Sequence, residues 1–370
     1  MSYLVKLLDG VKVEWETLGE VCKVLRGKRL TKKELSENNI FPVFHGGLEP
    51  LGFYAKSNRP KDTVMIINVG ASAGTVGFSP VEFWSSDGCF CLEHSEVLNN
   101  KFLYYFLIGE QPFLKSRVRV AGIPTLDNFV VEKLQIPIPP LSVQKEIVHI
   151  LDKFTELTAE LTAELTARKK QYNYYRGQLL RFEEGDVEWK TLESLAENLD
   201  SMRKPVTSGL REAGNIPYYG ASGIVDYVKD YIFDGDFLLV SEDGANLIAR
   251  NTPIAFSISG KTWVNNHAHV LKFNTYAERR FVEYFLNSID LTPYISGAAQ
   301  PKLNQRNLNN IKIPNPSPEE KIKIVSILDK FDILTTSINE GLPKEIELRK
   351  KQYEYYRDLL LTFPNNNLES

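Results

Sequence analysis

The sequence has few cysteines, no long apolar run and no signal-peptide core, and each absence narrows the class of protein. Three cysteines in 370 residues are too few for a disulfide framework and are typical of a reducing compartment. No apolar run approaches the ~20 residues of a membrane-spanning helix, and the charged N-terminus lacks the apolar stretch of a secretory signal. We therefore expect a cytoplasmic protein that does not contact a membrane.

An excess of positive charge is also missing, which at first argues against a nucleic-acid-binding protein. The 44 Lys and Arg side chains are outnumbered by 47 Asp and Glu side chains, so the formal net charge is −3. A chain that binds nucleic acid usually has a basic excess. The composition is otherwise that of a globular protein, with 43% hydrophobic and 25% charged residues, and the length predicts two or three domains.

Motifs of several enzyme classes are absent. The chain has no Asn/Asp-Pro-Pro-aromatic methyltransferase signature, no HExxH and no GxGxxG. The segment Ala255–Thr262 fits a relaxed phosphate-loop pattern, but Trp263–Val270 behind it is typical of a strand or a loop, whereas a phosphate loop needs a helix there. We favour a hairpin turn and keep a nucleotide-binding protein built on Lys261 as the weaker alternative, which unchanged activity of Lys261→Ala would exclude.

A zinc site is the other chemical alternative. Cys89, Cys91, His94 and Asp87 lie close in sequence, but a structural zinc site usually needs a second ligand pair at matching spacing. No such pair follows, so the cysteines are better explained as buried thiols that act as small apolar side chains. We predict no metal site.

The chain does contain a repeat of itself, at an offset that drifts from 174 to 181 residues. Val13–Leu18 recurs as Val187–Leu192, Ile150–Phe154 as Ile327–Phe331, and Arg168–Arg176 as Arg349–Arg357. A period this long is not that of a solenoid. It indicates a duplicated unit with a variable body of about 130 residues and a similar tail of about 45.

Each body is predicted to be mixed and rich in strands. The paired features are β-leaning runs that end in a glycine turn, aromatic helix-like segments, and proline-rich exits: Thr63–Val69 and Asp236–Val240, Phe102–Leu107 and Phe281–Leu286, Ile136–Pro140 and Ile311–Pro316. The bodies diverge strongly between these features.

Both tails are predicted to be helical. Apolar and aromatic residues at 4-3 spacing from Ile147 to Leu179 are typical of a coiled-coil seam. In the second tail, Gly341-Leu342-Pro343 predicts one helix near 319–340, a kink, and another near 344–361. We predict an α+β fold in which two similar mixed α/β domains are joined by two long antiparallel coiled-coil regions, with pseudo-twofold symmetry. The predicted bounds are 1–140, 141–183, 184–316 and 317–362, followed by a flexible tail at 363–370.

These motifs, in this order and twice over, resemble one family over nearly the whole chain: the DNA specificity subunits of type I restriction–modification enzymes. The resemblance rests on the Val-Glu-Trp-x-Thr-Leu starts, the Pro-x-Leu and Ile-x-Ile-Pro exits, the Pro139–Gln144 segment and the two Arg-Lys-Lys-Gln-Tyr-x-Tyr-Tyr-Arg ends. The copies of Thr-Ala-Glu-Leu at 158–161 and 162–165 resemble that family's spacer. The second half departs from the pattern at Pro316–Lys321, which puts the copy of the Gln144 contact in doubt.

The resemblance implies that each body is a target recognition domain, which reads one half of an asymmetric, bipartite site in double-stranded DNA. It implies a subunit that is not itself an enzyme. Its partners would be two methyltransferase subunits, which modify adenine, and restriction subunits, which translocate and cut DNA. S-adenosylmethionine, ATP and Mg²⁺ would belong to these partners, so the chain itself is expected to have no cofactor. The alternative is a coiled-coil scaffold that binds other proteins.

Local basic clusters are the candidate DNA contacts. Neither body is basic as a whole, with 16 basic and 15 acidic residues in 1–140 and 13 and 17 in 183–316, and a solvated surface charge is the alternative for each residue. We predict phosphate contacts or guanine readout by the following residues: Lys23, Arg26, Lys28, Arg29, Lys32, Lys33, Arg117, Arg119, Arg203, Lys204, Arg211, Lys302 and Arg306.

The resemblance makes the basic and aromatic helix ends docking sites for the methyltransferase subunits. The alternative is that the tyrosines only fill the intramolecular seam, and Tyr174 and Tyr355 fall outside that seam. The predicted interface residues are Gln144, Arg168, Tyr172, Tyr174, Tyr175, Arg176, Arg349, Tyr353, Tyr355, Tyr356 and Arg357.

Overall fold

A computed structural model describes residues 10–183, 185–297 and 300–363, without the side chain of His94. The chain forms two compact units. The first contains the residues up to Thr162 together with those from Glu345 onward, and the second contains Ala163–Lys344. Each unit therefore holds one repeated body and parts of both helical tails.

The first unit is built from short strands with four helices around them. Its strands are β1 (Glu14–Thr17), β2 (Cys22–Arg26), β3 (Phe41–Phe44), β4 (Gly52–Tyr54), β5 (Thr63–Ile67), β6 (Val76–Ser79), β7 (Trp84–Ser85), β8 (Cys89–His94) and β9 (Gln135–Ile138). Its helices are α1 (Leu18–Val21), α2 (Asn100–Gly109), α3 (Gln111–Ser116) and α4 (Asn128–Glu132), with a 3₁₀ turn at Lys32–Glu34.

Strand β5 lies inside the main sheet of this unit, whose antiparallel order is β2-β8-β5-β6. All five of its residues are buried, as expected for an apolar run covered on both faces. Helix α2 packs against β5 and β6, and the Asn99 side chain begins it by accepting the N–H groups of Lys101 and Phe102. The predicted strand at Thr63–Val69 and the predicted helix at Phe102–Leu107 are confirmed.

The second unit contains a larger, six-stranded sheet of order β11-β16-β14-β15-β12-β13. Its strands are β10 (Glu188–Thr191), β11 (Glu197–Asn198), β12 (Ala213–Gly220), β13 (Gly223–Val228), β14 (Phe233–Ser241), β15 (Ala255–Val264), β16 (Ala268–Lys272) and β17 (Lys312–Asn315). Its helices are α6 (Leu192–Leu195), α7 (Asn246–Ala249), α8 (Tyr276–Ser288), α9 (Gln305–Asn309) and α10 (Pro318–Thr336), with 3₁₀ turns at Asp200–Met202, Ser208–Leu210 and Thr292–Tyr294.

Two further helices contribute residues to both units. They are α5 (Leu141–Leu179), with 39 residues, and α11 (Gly341–Leu361), with 21 residues. None of the described helices is long and apolar enough to cross a membrane.

The phosphate-loop-like segment is part of a strand, which corrects both the hairpin turn and its nucleotide-binding alternative. Residues 255–262 pair in register with β14, from Ala255 opposite Val240 to Thr262 opposite Phe233. No helix follows, and the ammonium of Lys261 lies 4.5 Å from the centroid of the Tyr231 ring. A phosphate loop needs free backbone N–H groups at a helix start, and an extended, paired strand does not provide them.

The repeat is visible in how each unit is closed. In the first, Trp15 of β1 pairs with Pro137 of β9, and in the second, Trp189 of β10 pairs with Pro314 of β17. The two motifs that open and close each half therefore form one antiparallel ribbon, and they do so in the same register.

The helix break in the second tail comes earlier than predicted. Helix α10 ends at Thr336 instead of near residue 340, and α11 begins at Gly341 instead of near residue 344. The Ser337 hydroxyl accepts hydrogen bonds from the N–H groups of Asn339 and Glu340. This local turn ends α10 before the chain reaches the Gly-x-Pro sequence.

Residue Phe363, which we assigned to the flexible tail, is part of the first core. Its side chain is buried, and its ring centroid lies 6.4 Å from that of Phe102. The rest of the predicted tail, residues 364–370, lies outside the described residues.

Candidate nucleic-acid interface

Both units hold a Pro-x-Leu turn beside the glycine turn that follows the central strand. In the first unit, Gly70 N–H donates to the Pro124 carbonyl over 2.9 Å, and Leu126 N–H donates to the Asn68 carbonyl over 2.9 Å. In the second unit, Gly244 donates to Pro301 over 3.2 Å and Leu303 donates to Glu242 over 2.8 Å. The same pair of backbone hydrogen bonds, which we call the backbone frame of the turn, thus flanks Thr125 in the first unit and Lys302 in the second.

The predicted cations of the first unit are exposed. Lys23 and Arg26 lie on β2, an edge strand of its sheet, and Lys28 and Arg29 follow it. Lys32 and Lys33 form a 3₁₀ turn that the Thr31 and Glu34 side chains close. Within the described residues, Lys28, Arg29, Lys32 and Lys33 have no carboxylate within 4 Å, so their charges are available to a ligand.

Two more predicted cations adjoin the Pro-x-Leu turn of the first unit. The backbone of Arg119 pairs with that of Thr125 in both directions, and its guanidinium lies 3.1 Å from Asp127. The guanidinium of Arg117 lies 5.0 Å from the centroid of the Phe113 ring. Both side chains remain exposed, since neither contact covers them.

In the second unit the predicted cations fall into two groups. Lys204 and Arg306 are exposed. Arg211 is largely covered, because it forms a 2.8 Å ion pair with Asp226 and lies over the Tyr218 ring. The carboxylate raises the pKa of Arg211, so this guanidinium has a partner already.

Arg203 is an internal residue instead of a surface contact. Its guanidinium donates to Glu242 over 2.6 Å and to the Ala268 carbonyl over 2.8 Å, and its Nε donates to the Asp200 carbonyl over 3.0 Å. Only 12% of its side chain is exposed. The prediction that Arg203 contacts DNA would require it to give up these bonds.

Arg203 belongs to a buried ionic cluster that sequence inspection missed, formed by Asp200, Arg203, Glu242, His269 and Lys302. The Nδ1 atom of His269 lies 2.6 Å from Oδ2 of Asp200, and Lys302 Nζ lies 3.1 Å from Oε1 of Glu242. No spacing in the sequence marks these residues, because they come from four separate segments.

Both carboxylates of the ionic cluster are held in the charged form. Burial raises the pKa of Asp200, but the hydrogen bonds from His269 and from Val270 N–H outweigh it, so the pKa lies below its usual range. Burial likewise raises the pKa of Glu242, and the Arg203 hydrogen bond, the His269 charge and the Lys302 contact bring the pKa below its usual range.

Among the described residues, only Asp200, Glu242 and His269 bring three potential metal ligands within 4.8 Å of one another. They do not suit a metal ion. The Arg203 guanidinium and the Lys302 ammonium already neutralise the carboxylates, and a metal would have to displace two hydrogen-bonded cations. Of the residues of the zinc alternative, Cys89 and Cys91 are buried in β8 and Asp87 lies 3.3 Å from His45, while the side chain of His94 lies outside the described residues.

The helix ends carry the same side-chain arrangement in both units. Tyr175 stacks on Phe331 in the second unit with centroids 5.8 Å apart, and Tyr356 stacks on Phe154 in the first with centroids 5.3 Å apart. Tyr174 and Tyr355, in contrast, are 63% and 64% exposed. Tyr356 is half-buried, as expected for a seam residue, whereas Tyr175 is 40% exposed despite its stacking.

The remaining predicted interface residues of the helix ends are half-buried and engaged locally. Arg168 and Arg349 each donate to the glutamine three residues later over 3.0 Å. The guanidinium groups of Arg176 and Arg357 lie over the rings of Tyr172 and Tyr353.

Gln144 lies inside the first unit, which corrects its prediction as a partner contact. Its side chain is fully buried, its Nε2 donates to the carbonyls of Val97 and Pro139, and its Oε1 accepts the N–H of Asn99. The copy at Lys321 is also buried, and its ammonium donates to Asn315 Oδ1 over 2.6 Å. Where the second half departs from the repeat pattern, a buried lysine therefore replaces a buried glutamine, and both side chains hydrogen-bond within their own unit.

A further pair of missed residues is the aspartate of each Ile-Leu-Asp-Lys-Phe copy. Asp152 accepts the Tyr105 hydroxyl over 2.6 Å and pairs with Lys101. Asp329 accepts the Tyr284 hydroxyl over 2.7 Å and pairs with Arg280. The repetition of this motif was the signal that could have found them, since the same contact fixes a tail helix to the aromatic helix of the body in each unit.

Comparison with known proteins gives one consistent result. The family model of the type I restriction modification DNA specificity domain matches residues 12–168 and again 184–348. The specificity subunit of the Escherichia coli enzyme EcoR124I/EcoR124II is 36% identical, with 98% of each chain covered, and a putative type I restriction enzyme specificity subunit of Haemophilus influenzae is 33% identical, again with 98% of each chain covered.

Solved structures agree on the fold. The S subunit of a type I restriction-modification system from M. genitalium superposes with a TM-score of 0.68 at 19% identity, covering 99% of this chain and all of that one. A chain from a study of complex assembly and conformational transition of the type I R-M system gives a TM-score of 0.55 at 16% identity, with 96% and 98% covered.

Proposed function

Since the chain belongs to the family of type I restriction–modification DNA specificity subunits, we propose that its two bodies each read one half of an asymmetric, bipartite site in double-stranded DNA. The observation that carries this proposal is the duplicated Pro-x-Leu turn, because the same backbone frame presents different side chains in the two units. Two related readers that differ in their side chains suit a site whose halves differ, since protein symmetry and site symmetry match in such complexes.

Exposed cations support a DNA ligand for the first body. The segment from Lys23 to Lys33 contributes six cations and no acidic residue, and all of them except Lys23 lack an ion-pair partner among the described residues. Lysine and arginine contacts to phosphate position a protein on the duplex, and base contacts in the grooves then give specificity. In the second body, Lys204, Lys302 and Arg306 would serve the same purpose.

We propose that the helical regions pair in antiparallel fashion and set the distance between the two half-sites. The stacking of Phe154 on Tyr356 and of Phe331 on Tyr175 supports this pairing, because each joins the start of one tail to the end of the other. A helical strut holds a distance better than a flexible loop does.

The chain supplies recognition, and its partners supply the chemistry. Two methyltransferase subunits would dock on the two copies of the basic and aromatic helix end, where Tyr174 and Tyr355 offer exposed rings of the kind that anchor interfaces. Adenine methylation with S-adenosylmethionine, and ATP- and Mg²⁺-dependent restriction, would belong to the partner subunits. This chain would need no cofactor of its own.

Binding of duplex DNA by the isolated chain and by the assembled methyltransferase tests the proposal. At a net charge of −3 we expect the isolated chain to bind weakly. The complex should bind with an affinity that depends steeply on salt and changes with base sequence. A complex that binds all sequences equally would contradict DNA reading and favour the scaffold alternative, and tight specific binding by the isolated chain would contradict the division of labour.

A further inference from the structure

One buried histidine joins the ionic cluster of the second unit to the turn that bears Lys302. His269 is fully buried, with Nδ1 2.6 Å from Asp200 Oδ2 and Nε2 2.7 Å from the Leu303 carbonyl oxygen. The imidazole therefore joins the Asp200 carboxylate on one side to the carbonyl of the turn on the other, through its two ring nitrogens.

Two contacts from side chains of the ionic cluster, and one backbone bond that the first unit shares, fix the turn that bears Lys302. His269 donates to the Leu303 carbonyl, Leu303 N–H donates to the Glu242 carbonyl over 2.8 Å, and the Glu242 carboxylate lies 3.1 Å from Lys302 Nζ. Leu303 is buried, whereas the Lys302 side chain is 51% exposed. The ammonium group therefore reaches the surface from a turn that is fixed on both sides.

The first unit lacks this ionic arrangement at the corresponding positions. Ile66 and Val240 lie two positions before Asn68 and Glu242. In the sheets, Phe90 pairs with Ile66 and His269 pairs with Val240. Phe90 thus takes the place of His269, and the neutral Asn68 that of Glu242. The Asn68 side-chain oxygen is buried and has no partner among the described residues, so Asn68 does not hold the Thr125 turn by charge as Glu242 holds that of Lys302.

We propose that His269 and Glu242 are positioning residues for one half-site only, because they fix the Pro301–Leu303 turn in the geometry in which Lys302 contacts DNA. This inference rests on the proposed DNA-reading function. A side chain that cannot bridge Asp200 and the Leu303 carbonyl would leave a buried oxygen without its hydrogen-bond partner and release one side of the turn. The charged groups that face the ring are Asp200, Glu242 and Arg203, and the Asp243–His267 pair lies beside it on the surface.

The test uses the chain assembled with its methyltransferase subunits and three duplexes: the cognate site and one base-pair change in either half-site. Discrimination is the ratio of methylation rates on cognate and altered duplexes. Lys302→Ala identifies the half-site that the second unit reads, and Arg29→Ala identifies the other. We expect His269→Gln to lower discrimination about tenfold at the Lys302 half-site, the size of losing one fixed contact, and to change the other half-site by less than about twofold.

The half-site comparison separates positioning from general destabilisation. A chain that is merely unstable would lose methylation on all three duplexes alike, whereas a displaced Lys302 turn lowers discrimination at the Lys302 half-site alone. Glu242→Gln is the second variant, should His269→Gln fail to fold, and is expected to weaken the same half-site. His267→Gln, a half-exposed neighbour, is the matched control.

Equal losses at both half-sites, or an unchanged Lys302 half-site in both variants, would overturn the positioning role. A wild-type complex without any sequence preference would instead overturn the proposed function, and this inference with it.

Discussion

Gln144 connects three segments of the first unit through one buried amide. Gln144 lies in the first turn of α5, and its amide bonds to the loop before α2 and to the exit of β9. A buried amide that bonds with every available group fixes the path of the chain, and each group left without its partner costs free energy. The same residue in sequence looked like a surface contact, because the pattern Pro-Pro-Leu-x-x-Gln does not say which way the side chain points.

Replacing Gln144 should destabilise the first unit without touching a partner surface. We expect Gln144→Leu to lower the free energy of unfolding by about 2–4 kcal/mol, since two carbonyls and one N–H lose their partner in a buried place. The exposed neighbour Lys145 is the matched control, and Lys145→Ala should stay within about 0.5 kcal/mol. Denaturant unfolding measures both. A Gln144→Leu chain that is as stable as the wild type but binds methyltransferase poorly would restore the interface role.

Arg203 shows why single basic residues resist prediction. Its partners Glu242 and Ala268 lie 39 and 65 residues away in sequence, and only the sheet brings them together. Arg29 and Lys32, by contrast, lie in a segment with no acidic residue nearby before Glu34, so their exposure could be anticipated. Charge clusters are therefore predictable where they are local, and charge pairs across a sheet are not.

At the scale of elements, Gly341 at the start of α11 shows why the second helical tail is divided into two helices. Gly341 has a φ of +79°, in the left-handed region that favours glycine. A Cβ atom there would lie 2.4 Å from the Ile333 carbonyl oxygen. The sequence pointed correctly to a break at this place, but the end of α10 depends on the Ser337 cap, which competes with the helix in a way that the Gly-x-Pro pattern does not reveal.

Two glycine substitutions should have opposite effects. Gly341→Ala is expected to lower the free energy of unfolding by about 2 kcal/mol, because the backbone is left-handed and the added atom meets a carbonyl. Gly177→Ala is expected to raise it by about 0.5–1 kcal/mol, because Gly177 lies in helix α5 with nothing within 4 Å of its Cβ position. Thermal unfolding of the full chain measures both, and a loss of stability in Gly177→Ala would show that α5 is not helical there.

The exposed tyrosines of the helix ends should matter for assembly and not for folding. We expect Tyr174→Ala and Tyr355→Ala each to weaken methyltransferase binding by about tenfold, with unchanged thermal stability, because more than half of each side chain is exposed. The controls are Asn173→Ala and Glu354→Ala, at the exposed position where the two copies differ. Titration of the purified methyltransferase subunit gives the affinities. Unchanged affinity in both tyrosine variants would place the docking surface elsewhere.

At the scale of the whole molecule, duplication was the most informative feature of the sequence. Motifs repeated at both ends of each half predicted two related domains, and the pairing of Trp15 with Pro137 and of Trp189 with Pro314 confirms that the motifs form the same ribbon twice. The main sheets between these motifs differ, because that of the first unit has four strands and that of the second unit has six. Sequence could not give these topologies, because the bodies diverge and strand pairing depends on long-range contacts.

The Thr-Ala-Glu-Leu copies predict how the site can be changed. They lie on α5 with their leucines half-buried and most other side chains exposed. Each four-residue copy adds ~6 Å to the helix and rotates it by ~40° beyond a full turn. Duplex DNA advances ~3.4 Å per base pair. Inserting one copy after Leu165 should therefore lengthen the unread spacer by roughly one or two base pairs, without changing the bases that are read. Methylation of duplexes with graded spacers measures this, and an unchanged spacer would exclude a helical ruler.

Mapping methylated adenines in the genome of a cell that carries this chain with its methyltransferase subunits shows whether the two bodies read a bipartite site. We expect one asymmetric site, made of two different half-sites at a fixed separation, of which Lys302→Ala relaxes only one. Methylation at a continuous or palindromic site, or a pattern that does not change when this chain is removed, would contradict it.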